Sequence, residues 1–231
     1  MGKIFDLDSP VMRFLSRMAD LMILNLLMTV CCLPVFTIGA ANTAMHYVML
    51  KMVRGEEGYI VKDFFKSFKM NFKQATVIWL IMILFILVFA GDYIIMTFSG
   101  INFPRWVKIA VMAVGILLLI VSSYIFPVLS HFDNTVKNTI KNGCIMSIMA
   151  VPKAIAMVFM GIIPVAMLVL APRLIPLVLL FGIALPGYLS AWMYSGTFKK
   201  FEPEDETQGE EEEFHVVLDD GEEPVNEDNG V

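Results

Sequence analysis

Residues 75–91, ATVIWLIMILFILVFAG, decide the fold: the run contains no charge, and its apolar character continues past Asp92 to residue 98. A helix rises 1.5 Å per residue, so about 20 apolar residues cross a hydrocarbon core of about 30 Å. In lipid, every backbone N–H and C=O must find its partner inside the protein. The run lacks the alternation of a barrel strand, so it reads as a membrane-crossing helix.

Working outward, four more stretches have this character: residues 21–38, with Asn25 as the polar exception, then 109–129, 154–171 and 174–194. The composition agrees, with 58% hydrophobic residues, 17% charged residues and a mean hydropathy of +0.73. Soluble domains carry about 45–50% and about 25%. Disordered, collagenous and disulfide-rich classes are excluded on the same grounds. The expected class is all-α: a polytopic membrane protein of about five transmembrane helices, with amphipathic cytoplasmic helices and a disordered acidic C-terminal tail.

The net charge of −5 averages two unlike parts. All 17 Lys and Arg lie in residues 1–201 with eight acids, whereas residues 202–231 hold 14 acids and no base. The expected organisation is a helical transmembrane domain, 1–200, and an acidic cytoplasmic tail, 201–231. Low hydrophobicity and high charge predict disorder in the tail. Within it, Phe214, Val216, Val217 and Leu218 form an apolar island suited to docking on a partner.

Cytoplasmic loops carry the Lys/Arg excess. Links 99–105 and 171–173 are short, while 39–74 and 130–153 are longer, polar and basic. Placing the long links inside gives 11 basic residues inside and six outside, with an external N-terminus. If residues 20–50 instead form a re-entrant hairpin broken at 34–39, only four segments span and the counts become 14 and three. Both threadings make a multi-pass membrane protein with its C-terminus in the cytoplasm. A cleaved signal peptide is disfavoured by Asp6, Asp8 and Asp20 ahead of the first segment.

The two long links look alike. Leu33-Pro34-Val35 precedes Asn42-Thr43, and Phe126-Pro127-Val128 precedes Asn134-Thr135. At an offset of 68, Phe64, Phe68, Lys69, Phe72 and Lys73 align with Phe132, Val136, Lys137, Ile140 and Lys141. A same-direction repeat would pair spans one and two with spans three and four. Residues 63–73 form the clearest amphipathic helix. Phe64, Phe65, Phe68 and Phe72 share one stripe, and Lys62, Lys66, Lys69 and Lys73 share the next. Such a helix either lies in the membrane interface or packs its Phe face under the bundle.

On Asn25-Leu26-Leu27, on the span-end motif running from Leu33-Pro34-Val35 to Gly39, on the Phe/Lys helix and on the stretch around Pro127, residues 1–200 resemble the YesL-like family of predicted bacterial integral membrane proteins. The family is a domain of unknown function. Its members occur beside sugar-uptake transporter components and two-component regulators. The resemblance therefore implies a role in carbohydrate uptake or its sensing, with sugar transporter subunits or a sensor kinase as partners. The acidic tail departs from the family pattern.

Chemistry is sparse. His46, His131 and His215 have no zinc spacing, Cys31, Cys32 and Cys144 form no framework, and nucleophile-elbow and phosphate-loop motifs are missing. No catalytic residue, cofactor, metal or nucleic-acid partner is expected, and the sequence sets no oligomeric state. Within the spans, Asn25, Thr76, Ser122, Ser123 and Ser190 supply polarity, while Pro164 and Pro186 predict kinks. Trp79, Trp106, Trp192, Tyr93 and Tyr194 fall near span ends, as in an aromatic belt. The expected function is a non-enzymatic accessory or regulatory membrane protein. The alternative is a small transporter or permease subunit for a sugar-type solute.

Overall fold

The computed structural model describes residues 10–56, 58–98, 104–132 and 134–201, and every regular element among them is helical. The helices are α1 (Pro10–Cys31), α2 (Ile38–Arg54), α3 (Ile60–Phe98), α4 (Arg105–His131), α5 (Val136–Met149), α6 (Val151–Leu170), α7 (Pro172–Gly182) and α8 (Ala184–Phe198). Four of them, α1, α3, α4 and α6, are long and apolar enough to cross a membrane, and α7 with α8 makes a fifth if that bent pair is one span.

The first expected span, 21–38, is not one helix. It ends at Cys31, and the chain reverses through Cys32–Thr37. Pro34 has no N–H to continue the ladder, and it drives the residue before it out of the helical region. The turn is then stitched locally: Thr37 Oγ1 reaches Cys31 O at 2.5 Å and Pro34 O at 2.6 Å. Trp79 Nε1 donates to Val35 O at 2.8 Å, fixing the turn against α3. Beyond it α2 runs antiparallel to α1, so Arg17 and Asp20 line the same polar recess as Lys51 and Asp63. The chain path is a helical hairpin broken near Pro34, and its α1 arm is itself long and apolar enough to cross a membrane.

Residues 39–74 are correspondingly not a simple polar link. Helix α2 is well buried, with Gly39, Ala40, Ala41, Thr43, Ala44, Met45, His46, Val48, Met49 and Leu50 all inside. Small residues at its start allow a close approach. A Cβ on Gly39 would sit 2.5 Å from Ala75 O and 2.6 Å from Trp79 Cβ. At the other end Gly55 takes φ 76° and donates its N–H to Lys51 O, a glycine C-cap.

The amphipathic stretch 63–73 is not a separate helix lying across the bundle. It forms the first turns of α3, which continues unbroken for 39 residues, about 58 Å. Phe64 is fully buried, and Phe68 and Phe72 pack on a core of Ala40, Ala75, Ile78, Ile125, Phe126 and Leu129. Phe65 points outward, as do Lys62, Lys66, Lys69 and Lys73. The packing alternative therefore describes the Phe64, Phe68 and Phe72 face. The α1–α2 turn meets α3 at Trp79, nineteen residues and about 28 Å before Phe98. Past that level α3 runs beside α4 and exposes Leu84, Leu87, Tyr93 and Phe98.

Helix α4 continues through buried Pro127 to His131, and α5 follows after a short break capped by Thr135. Helix α6 runs uninterrupted through Pro164. The fifth expected span is the α7–α8 pair, bent by 46°. Pro186 supplies the reason: its ring clashes with the carbonyl four residues back, at Gly182, where α7 ends as a π turn over Val178–Gly182. The chain divides into two compact units between Ser195 and Gly196. In the second unit, Lys200 N–H donates to Thr197 O and Phe201 N–H to Phe198 O.

Candidate functional site

A buried polar clasp joins the first helix to the last bent pair. Widening to a π turn and stopping at Ile183 strands two carbonyls and two N–H groups away from water. Asn25 of α1, fully buried, takes all four. Its Nδ2 donates to Leu179 O at 2.7 Å and Val178 O at 3.2 Å. Its Oδ1 accepts from Ala184 N–H at 2.8 Å and Ile183 N–H at 2.9 Å. A side-chain amide offers two donors and two acceptor sites, so its capacity is filled and the network fixes its orientation. Thr29 Oγ1 donates to Asn25 O at 2.8 Å, the back-bonding common for hydroxyls inside helices.

Two further contacts bind the N-terminal helices to α8. His46 Nδ1 lies 3.1 Å from Tyr194 Oη, the rings meeting edge to face at 5.7 Å. Arg17 Nη1 donates to Tyr188 Oη at 2.7 Å. Tyr194 is fully buried, so it does not belong to an aromatic belt. Trp79 is also drawn inward, by its bond to Val35 O, whereas Trp106, Trp192 and Tyr93 are exposed as a belt requires.

At the end of the bundle where α2 hands over to α3, Lys51 Nζ pairs with Asp63 Oδ2 at 3.0 Å. That hydrogen bond holds the ammonium above its ordinary range. Arg17, Asp20 and Glu56 share the recess, whose volume is about 290 Å³. Its charges are mixed in sign and include a pair that ties two helices together. No group of three His, Cys, Asp or Glu placed to hold a metal occurs among the described residues. Cys31, Cys32 and Cys144 are free thiols.

The residues singled out in the sequence disperse. Pro34 is exposed in the turn, Gly39 is at the α2–α3 contact, and Pro127 is buried within α4. The hydroxyls of Ser122, Ser123 and Ser190 donate to carbonyls of their own helices, at Leu119, Ile120 and Pro186. Phe214, Val216, Val217 and Leu218 lie outside the described residues, as do Asp133 and the tail from residue 202. The clasp itself was visible only as a polar exception in an apolar run. Pro186 was the second signal, but nothing linked two residues so far apart in the chain.

Helices of this length and apolarity, tied by buried polar contacts, define the class: an α-helical membrane protein. Residues 19–93 match the family model described as "Protein of unknown function, DUF624". The matched segment runs from α1 into α3, taking in Asn25, the Gly39–Trp79 contact and the Lys51–Asp63 pair. The chain is also similar to a Bacillus subtilis (strain 168) protein described as "Uncharacterized protein YteU". The two are 23% identical over 176 residues, covering 76% of this chain and 78% of that protein. The resemblance to the YesL-like proteins of unknown function is borne out by both findings. No solved structure matches.

Proposed function

We propose that this protein is a non-enzymatic accessory or regulatory component of the bacterial cell membrane, linked to carbohydrate uptake or its sensing. The observation that carries this reading is the exposed face at the start of α3. There Tyr59, Val61 and Phe65 stand among Lys62, Lys66 and Lys69. Aromatic and basic side chains together, on the rigid end of a long helix, suit a protein contact. The buried polar groups nearby tie helices to one another, which favours a structural contact over a reaction. In the threading with 14 internal bases, this face and both chain ends are cytoplasmic, where a sugar transporter subunit or a sensor kinase would meet it.

Affinity purification of the full chain after cross-linking in native membranes tests the contact. The wild type is expected to recover such a partner, and Lys62→Glu/Lys66→Glu/Lys69→Glu to lower recovery at least fivefold. Growth of a deletion strain on individual oligosaccharides tests the carbohydrate link. Normal growth on all of them, with no partner recovered, would sink the proposal.

The transporter reading has one observation in its favour, the break between α7 and α8, since discontinuous helices often present backbone groups to a substrate. Here those groups are held by Asn25, which weighs against it. Uptake of an oligosaccharide by vesicles containing the purified chain alone would reverse that judgement.

A further inference from the structure

The apolar lengths of α3 and α4 do not close on each other. Between them runs a cleft of about 910 Å³, from Ile78 and Ile125 at one end to Thr97 and Lys108 at the other. Helix α5 contributes Ile140 and Cys144 beside the Ile78 end. The nineteen residues from Ile78 to Thr97 make it about 28 Å long. Gly115 on its wall faces the Phe89 ring, 3.7 Å from where a Cβ would stand, so a larger side chain at this position would have to enter the cleft. The hydroxyl of Ser122 is already donated to Leu119 O. An empty cleft of this size would forfeit dispersion contacts along both helices.

Charge and size select what fills it. Among the described lining residues Lys108 is the charged one, with no carboxylate opposite it, and it shares its end of the cleft with Tyr93 and Thr97. A sugar would leave its hydroxyls unpaired along an apolar shaft. A flexible hydrocarbon chain ending in an anion fits both the length and the single cation.

We propose that this cleft holds an acyl chain of an anionic phospholipid, with the headgroup phosphate at Lys108. The site is independent of the basic face on α3, and its occupancy does not depend on any protein partner.

Native mass spectrometry of the full chain in mild detergent tests it, with phosphatidylglycerol and phosphatidylcholine of identical acyl chains offered as probes. The wild type is expected to retain one lipid and to favour phosphatidylglycerol at least fivefold. Lys108→Glu should erase that preference while phosphatidylcholine is still retained. Gly115→Phe should lose retention of both lipids, and Val111→Trp serves as the filling variant if Gly115→Phe does not keep its helical circular dichroism. A wild type that retains no lipid, a lipid-free dimer, an unchanged preference in Lys108→Glu, or full retention in a folded filling variant would each overturn the proposal.

Discussion

Helices α1–α2–α3 and α4–α5–α6 follow the same plan, long then short then long, but are held in different ways. In the first set Pro34 sits in a turn that separates two helices, and the turn is pinned to α3 through Trp79. In the second set Pro127 stays inside α4, and the chain breaks only afterwards. Helix α2 buries ten residues, whereas α5 buries four. A glycine-capped loop joins α2 to α3, but α5 passes to α6 at the single residue Ala150. The first set carries the long-range polar contacts, and the second carries hydroxyls bonded to their own helices. The lesson is that similar helix order does not imply similar dependence on individual residues. The first set should be sensitive to point changes and the second tolerant.

The sharpest break of that contrast comes from Asn25→Leu against Ser123→Ala. Four stranded backbone groups at about 1–3 kcal/mol each predict a loss of about 4 kcal/mol or more for Asn25→Leu. Ser123→Ala should move stability by less than about 0.5 kcal/mol, as surface-like substitutions do. Unfolding midpoints in detergent measure both; equal shifts would erase the distinction.

Glycines give the next test. Gly39→Val forces a side chain into Ala75 O and Trp79, with an expected loss of about 2 kcal/mol. Gly161→Ala on α6 meets nothing within 4 Å and should gain up to about 1 kcal/mol from helix propensity. The same denaturation series shows whether the signs differ.

Smaller again is the pair of turns. Trp79→Phe removes the bond to Val35 O for about 1 kcal/mol, and hydrogen exchange at residues 32–37 should accelerate. Thr135→Ala removes a long cap of 3.5 Å to Asn138 N–H, for about 0.5 kcal/mol. Least of all, a double-mutant cycle on Lys51 and Asp63 should return about 0.5 kcal/mol and shrink with salt, since both side chains remain partly solvated.

Three of the long apolar helices were legible because hydropathy over some twenty residues is a strong signal: α3, α4 and α6 contain the runs that named them. Helix α2 was hidden by its own chemistry. It carries Asn42, Thr43, His46, Lys51 and Arg54, and it is buried through small residues rather than greasy ones. The Phe stripe was legible as a face, and three of its four members do pack inward. Phe65 does not, because at one residue from Phe64 it lies about 100° around the helix. The repeat was half legible. The Pro-containing motifs place α2 opposite α5, but the offset of 68 pairs the start of α3 with the start of α5, so α5 would have to stand for two different elements. The clasp required contacts across 153 to 159 residues, a distance over which local periodicity carries no information.

That separation also sets an order of events during synthesis. At about 5–20 residues per second, Asn25 leaves the ribosome about 8–30 s before the backbone it clasps has been made. Throughout that interval α1 presents an unmatched amide to lipid or to whatever assists insertion, and α1 settles fully only when the last helices arrive. A chain truncated before residue 178 never meets this condition. In such a chain the Asn25 side chain would lack all four of the backbone partners it holds here.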